Sequence, residues 1–391
     1  MIPYGRQDIS QADIDAVVAV LLSEYLTQGP AVPSFEKNIA DYCGVNHAVA
    51  VNSATSALHI ACLALGLGPG DWLWTTPNTF VASANCGLYC GANIDFVDID
   101  PESLNMSVDR LTEKLIDASR SGKLPKIVIP VHFSGQPCDM ARIRKLSIKY
   151  GFKIIEDASH AIGAKYKNKP VGACEYSDIT VFSFHPVKII TTGEGGMAVT
   201  NNDQIASQLK LLRSHGITRN SVEMNKAPEG DWYYQQIALG YNYRMTDIQA
   251  ALGLSQMRRL DEYVCKRHLI ANRYDNLLSE TYLTLPRKSE EGYSAFHLYV
   301  IQLKSVELSP FRREFFGKLR ESGIGVNVHY IPVHLHPYYL SMGFKDGDFP
   351  AAENYYKNAL TIPMYPNLTE SQQEYVVEML KKCMATFGVN K

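Results

Sequence analysis

At 391 residues with 46% hydrophobic and 20% charged side chains, the chain is long enough for a large core and two or three domains. Its formal net charge of -2, without a Lys/Arg-rich stripe, excludes a nucleic-acid partner, and no apolar run of about twenty residues could span a membrane. The opening Met1-Ile-Pro-Tyr-Gly-Arg-Gln-Asp lacks the basic-then-apolar layout of a signal peptide, so a cytoplasmic location is expected.

From about Gly44 to Asn202, short β-branched runs alternate with helical segments. Strands are expected at residues 47–51, 72–76, 93–97, 126–131, 152–156, 179–183 and 196–200. Several are apolar at consecutive positions, as strands buried on both faces require. The expected fold class is α/β, a mostly parallel sheet covered on both sides. Residues 221–235 are polar and aromatic with Pro228 and Gly230, which predicts a long loop. One connecting helix is expected over 247–278, then a strand at 295–303, a helix at 310–321 and a strand at 325–330. These divide the chain into a large domain, 1–250, and a smaller α+β C-terminal domain, 251–391, that includes the connecting helix.

Several motifs carry chemistry. Val181-Phe-Ser-Phe-His-Pro-Val-Lys188-Ile-Ile-Thr-Thr-Gly-Glu-Gly-Gly196 sets one lysine in an apolar run closed by glycines. A desolvated lysine has its pKa lowered and its neutral amine can attack a carbonyl; the same lysine could also reach water from a strand end. At Val51-Asn-Ser-Ala-Thr-Ser-Ala-Leu58 a strand turns into a helix through small hydroxyl residues. That turn suits a phosphate, or plain N-capping by Ser53 or Thr55. Ile154-Ile-Glu-Asp157-Ala-Ser-His160 ends a strand with an acidic pair. Asp157 there can hold a proton on a pyridine nitrogen, bind magnesium or a ribose, or cap a helix. Phe80 follows another strand and can cover a planar ring or join the core. Eight scattered cysteines and the cluster His329, His334 and His336 lack the spacing of a metal site, so no metal is expected.

In order along the chain, Leu26-Thr-Gln-Gly-Pro30, Asn52-Ser-Ala-Thr-Ser-Ala57, Gly68-Pro-Gly-Asp71, Glu156-Asp-Ala-Ser-His-Ala-Ile-Gly163, the lysine motif and Gly240-Tyr-Asn-Tyr-Arg-Met-Thr-Asp-Ile-Gln-Ala-Ala251 resemble the DegT/DnrJ/EryC1/StrS sugar aminotransferases. The resemblance covers nearly the whole chain and implies a pyridoxal 5'-phosphate enzyme of aminotransferase fold type I. It makes Lys188 the Schiff-base lysine and Asp157 the partner of the pyridine nitrogen. Thr55 and Ser183 fall on the phosphate side, Phe80 over the ring and His160 at the ring's hydroxyl edge, and Ala54 is a further cofactor-binding residue. Asn242 matches an asparagine that reaches the phosphate from the neighbouring subunit, which implies a homodimer with shared active sites.

For substrates, the resemblance implies L-glutamate as donor and C4 of a nucleotide-linked 4-keto-6-deoxy sugar as acceptor. The lysine motif is most similar to members that act in pseudaminic acid biosynthesis on UDP-2-acetamido-2,6-dideoxy-β-L-arabino-hexos-4-ulose. One departure is Ile189, where relatives often carry proline. Tyr4, Thr27, His329 and Tyr330 are the expected substrate-binding residues. A 4-keto sugar on another UDP, GDP or dTDP carrier is the alternative. A dehydratase would have histidine in place of Lys188, and a non-catalytic member would have lost cofactor residues.

Overall fold

The computed structural model describes residues 1–303 and 311–386. All seven expected strands of the first half lie side by side in one sheet. They are β1 (His47–Val51), β2 (Trp72–Thr75), β3 (Asn93–Phe96), β4 (Ile127–Ile129), β5 (Lys153–Asp157), then Ile179–Ser183 and Gly196–Thr200. Across the sheet the order is β1, Gly196–Thr200, Ile179–Ser183, β5, β4, β2, β3. Every neighbouring pair from β3 to Ile179–Ser183 is parallel; only Gly196–Thr200 runs against both its neighbours. Ile179–Ser183 and Gly196–Thr200 are buried on both faces, which explains why they are apolar at successive positions, whereas the edge strand β3 alternates buried Ile94 and Phe96 with exposed Asn93 and half-buried Asp95.

Helices α1 (Gln11–Leu21) and α2 (Ala31–Cys43) precede the sheet, α3 (Ala54–Ala64) follows β1, and α4 (Ala82–Tyr89) follows β2. Because α3 and α4 both start beyond the carboxyl ends of their strands, where Asp157 and Ser183 also sit, these elements converge on the crevice where open α/β sheets bind ligands.

The expected single helix over 247–278 is two helices, Asp247–Met257 and Leu260–Leu278. At the junction Arg259 leaves the helical conformation, and its guanidinium forms ion pairs with Asp8 and the buried Asp13. That contact with the N-terminal segment turns the chain. The expected strand at 295–303 is shorter, Tyr299–Leu303, because 295–298 docks elsewhere: Ala295 N–H donates to Gly135 O and Leu298 N–H to Ser134 O. No strand forms at 325–330. Asn327 makes a single bridge to Thr361, while Val328 N–H turns to the Asn327 side chain. The expected helix at 310–321 is present as Arg312–Glu321; its expected first residue, Pro310, lies outside the described residues. Ser221–Tyr234 carries no helix or strand, in agreement with the loop, and the loop's end at Gln235 pairs with Thr218.

Leu283–Thr284, Tyr299–Leu303 and Ala359–Ile362 make a second, antiparallel sheet. Its core joins Ile301 and Leu360 to Phe315, Leu319, Val376 and Leu380 of the helices Arg312–Glu321 and Glu370–Thr386. Between these elements, residues 333–358 return to the main sheet and are fixed there at several points. Val333 N–H donates to Pro77 O (2.9 Å), and Tyr339 Oη–H to Asn85 Oδ1 (2.6 Å). The Asp98 carboxylate accepts from Ala351 N–H (2.9 Å) and Ala352 N–H (3.0 Å), capping the helix Pro350–Asn358 from across the molecule.

His334 pairs with Glu353 (2.9 Å) and His329 with Thr361 Oγ1 (2.8 Å), so the histidine cluster is divided among different partners. All eight cysteines are free thiols. Among the described residues no helix is long and apolar enough to cross a membrane, and no group of three or more His, Cys, Asp or Glu is arranged to hold a metal.

Candidate active site

Lys188 and Asp157 line one cavity of about 290 Å³ at the carboxyl end of the sheet. Ala54, Thr55, Phe80, His160 and Ser183 share it, as do Tyr4, His329 and Tyr330. Thr27 and Asn242 do not. Both are exposed, Thr27 in a bridge with Thr246 and Asn242 in one with Ser214.

The lysine motif folds into a closed loop. Phe184 N–H donates to Gly195 O (2.9 Å), Thr192 N–H and Thr191 Oγ–H both donate to Phe184 O (3.0 Å), and Gly193, with φ +80°, makes the turn. Lys188 is thereby held against the sheet. Burial pushes its pKa down to about 8, with the Asp157 charge acting in the opposite sense.

Strand alternation separates the acidic pair at the end of β5. Glu156 points away and is fully engaged, with His132 Nε2 at 2.7 Å and with the Ser177 and Thr180 hydroxyls. Asp157 lines the cavity. Its Oδ2 accepts from Ser83 Oγ–H (2.6 Å) and its Oδ1 from Ser159 N–H (3.1 Å), which fixes the carboxylate's direction.

At the start of α3, Ser53 does act as N-cap, accepting from Ser56 N–H (3.1 Å). The amides of Ala54 and Thr55, in the first turn, have no intrahelical acceptor and border the cavity together with the Ser183 hydroxyl. The arrangement has the donors and the helix start that suit a phosphate. Gly196 is built into it: a Cβ there would lie 2.5 Å from Ala54 N and from Ser53 C and O. Gly196→Ala is therefore expected to push back the first turn of α3 at a cost of about 1–3 kcal/mol. A lowered melting temperature and weakened cofactor retention on dialysis would show this; no change in either would mean the turn relaxes freely.

Phe80 is 59% exposed, which rules it out as a core residue, and its ring centroid lies 6.2 Å from that of Tyr330. Three buried histidines face the same space. His160 and His297 have ring centroids 4.5 Å apart and His329 lies against Tyr4 at 5.4 Å. Burial and then the nearby lysine charge push the His160 pKa well below its ordinary range and that of His329 down to about 3; His297 is lowered by burial and next by His160. All three are neutral imidazoles at neutral pH.

His160 is held on both sides. Its Nδ1 accepts from Ser134 N–H (3.3 Å) and its Nε2 lies 3.0 Å from Tyr330 Oη. The Ser134 turn requires glycine at its next position: Gly135 has φ +97°, and a Cβ would stand 2.9 Å from Phe296 N.

Ser83, Ser134 and His297 were not anticipated. Ser83 lies in α4, Ser134 in the turn before Gly135 and His297 in the segment ahead of the strand Tyr299–Leu303, and the importance of each comes from a partner far along the chain.

The residues present fit pyridoxal phosphate. There is an amine of depressed pKa, a directed carboxylate for a pyridine nitrogen, and a cradle of unpaired amides and hydroxyls for the phosphate. The family model described as the DegT/DnrJ/EryC1/StrS aminotransferase family matches residues 7–381. The spore coat polysaccharide biosynthesis protein SpsC of Bacillus subtilis is 39% identical over 97% of this chain and 96% of its own. The UDP-4-amino-4,6-dideoxy-N-acetyl-beta-L-altrosamine transaminase of Campylobacter jejuni is also 39% identical, with the same coverage of 97% and 96%. Among solved structures, PseC of Helicobacter pylori, an aminotransferase of pseudoaminic acid biosynthesis, superposes with a TM-score of 0.91 at 31% identity, covering 98% of this chain and 99% of that one. The sugar aminotransferase Spr1654 of Streptococcus pneumoniae, solved in PLP and PMP forms, reaches a TM-score of 0.90 at 29% identity in the PMP form, covering 99% and 100%.

Proposed function

The chain belongs to the DegT/DnrJ/EryC1/StrS aminotransferase family, and from that premise we propose that it carries the amino group of L-glutamate to C4 of UDP-2-acetamido-2,6-dideoxy-β-L-arabino-hexos-4-ulose. It is a pyridoxal-phosphate-dependent sugar aminotransferase of α/β, fold type I architecture. The observation that carries the proposal is the meeting of Lys188 and Asp157 in one cavity, each held by its own surroundings in the state transamination needs. Similarity to an altrosamine transaminase and to PseC supports this particular sugar.

Bound pyridoxal phosphate supplies an electron sink that stabilises negative charge at the carbon losing its proton. Lys188 Nζ, neutral above about pH 8, would take that proton and return it to the neighbouring position, and it would anchor the cofactor between turnovers. Asp157, directed by Ser83 and Ser159, would hold a proton on the ring nitrogen through a charge-assisted hydrogen bond. The first turn of α3 would hold the phosphate.

The proposal is tested by incubating the holoenzyme and glutamate with UDP-, GDP- and dTDP-linked 4-keto sugars and identifying the aminated product by mass and NMR. Amination of another sugar alone would replace the substrate named above, and no amination of any would defeat the function.

Among the described residues Lys188 is the only lysine or arginine lining the cavity of a single chain, which leaves room for a partner's contribution to an anionic cofactor and donor. Asn242, exposed and outside its own cavity, is suited to reach a neighbour's phosphate, and the nearby Thr27 would meet substrate only through the same assembly. Heterodimers of a Lys188→Ala chain with an Asn242→Ala chain then contain one intact site and are expected to exceed either mutant homodimer in activity. No recovery in verified heterodimers, with Asn242→Ala impaired alone, would confine the site to one chain.

A further inference from the structure

We infer that Ser134 and His160 together set the direction of the Tyr330 hydroxyl hydrogen and present it to the carbonyl oxygen of the keto sugar. The acceptor rests on the function proposed above; the hydrogen-bond direction does not.

The direction follows from counting protons. Ser134 N–H donates to His160 Nδ1, which must therefore carry a lone pair. A neutral imidazole with a bare Nδ1 carries its hydrogen on Nε2, so the 3.0 Å contact to Tyr330 is Nε2–H donating to Oη. The hydroxyl's own hydrogen is then free, and Tyr330 lines the cavity. Burial, followed by the Asp157 charge, raises the Tyr330 pKa, so the phenol stays protonated. The backbone that supplies the first donor is fixed: Ser134 Oγ–H donates to Leu298 O (2.7 Å), and Leu298 N–H returns to Ser134 O (3.3 Å).

The acceptor follows from where charge develops. When an amine adds to the sugar carbonyl, negative charge builds on the carbonyl oxygen before it leaves as water; the oxygen of the 2-oxo acid formed from glutamate enters from water through the same kind of charge, so a donor placed for the sugar oxygen is told apart by comparing the two half-reactions. A directed donor on a ring whose centroid lies 6.2 Å from that of Phe80 and 6.3 Å from that of Phe133, in apolar surroundings, contributes most to the oxygen whose charge grows. Tyr330 is the catalytic residue in this arrangement and His160 a positioning residue.

Two measurements test it. In cofactor-free protein labelled with ¹⁵N-histidine, the ring signal that disappears in His160→Gln is expected to show a non-protonated Nδ1 and a protonated Nε2, with the Nε2 shift moving in Tyr330→Phe. A protonated Nδ1 would overturn the inference. In the holoenzyme, Tyr330→Phe is expected to slow the keto-sugar half-reaction by roughly a hundredfold and the glutamate half-reaction by less than about twofold. His160→Gln, whose amide can both accept from Ser134 and donate to Tyr330, is expected to retain more of the sugar half-reaction than His160→Leu. Equal loss in both half-reactions, loss confined to glutamate, or equivalence of the two His160 variants would each overturn the inference. If the wild-type enzyme aminated no keto sugar, the acceptor would fall together with the proposed function, and the labelled histidine would still report the direction of the hydrogen bond.

Discussion

Lys188→Ala is expected to abolish multiple turnover while leaving the fold intact. In the proposed mechanism the lesion removes both the covalent anchor and the group that moves the proton, and the second role alone accounts for roughly 10²–10⁴ in rate. The protein should not be destabilised, because a lysine whose pKa is pushed from 10.5 to about 8 is one whose charge the surroundings disfavour. Lys188→Arg should fail as well, since a guanidinium stays protonated at any working pH. The same lowered pKa has a direct signature in cofactor-free protein. The neutral fraction of Lys188 rises as pH increases through about 8 and is complete above it, so its reaction with aldehydes should level off there, while an ordinary lysine keeps accelerating toward pH 10.5. Sustained turnover by either variant, or a Lys188 reactivity that follows the ordinary lysines, would remove it from the chemistry.

Asp157→Asn is expected to lower transamination by about a hundredfold or more, the scale of losing one preorganised electrostatic contact. Asparagine keeps an oxygen for Ser159 N–H, so the shape at the end of β5 should survive and the melting temperature should change little. In the proposed mechanism what is lost is the charge that would keep the pyridine nitrogen protonated, and with it the pull on electrons from the reacting carbon. Near-normal kcat in this variant would make Asp157 a structural residue. A Ser83→Ala chain separates direction from charge: it keeps the carboxylate but frees Oδ2, and a smaller loss is expected.

Most of the main sheet was legible in the sequence because its central strands, buried on both faces, are rich in consecutive apolar residues and need only their own residues to be recognised; the edge strand β3 instead alternates, with Ile94 and Phe96 buried and Asn93 exposed. The helix break at Arg258–Arg259 was not, since it depends on Asp8 and Asp13, about 250 residues away in the chain, and nothing local interrupts the helical pattern. Residues 325–330 have strand-like composition, yet their polar groups find side-chain partners and only Asn327 bridges to a strand, at Thr361, so composition misled there. In the site, Lys188 and Asp157 stood out by motif. Which carboxylate of the Glu156–Asp157 pair faces the cavity was decided by His132, Ser177 and Thr180, which take up Glu156 on the other face of the sheet. Ser83 and Ser134 lie in unremarkable sequence, and only folding brings them to Asp157 and His160.

The fastenings of residues 333–358 onto the main sheet bear on how specificity in such a chain could be altered. His329 and Tyr330 stand just ahead of a stretch held by Pro77, Asn85 and Asp98, so the wall that carries them cannot be exchanged as an independent cassette. A graft of 329–358 from a relative onto this scaffold would arrive without its own docking residues unless 77–98 came with it. Chimeras that move both stretches should keep a shaped site, whereas those that move only the later one should bind cofactor but lose discrimination between sugars.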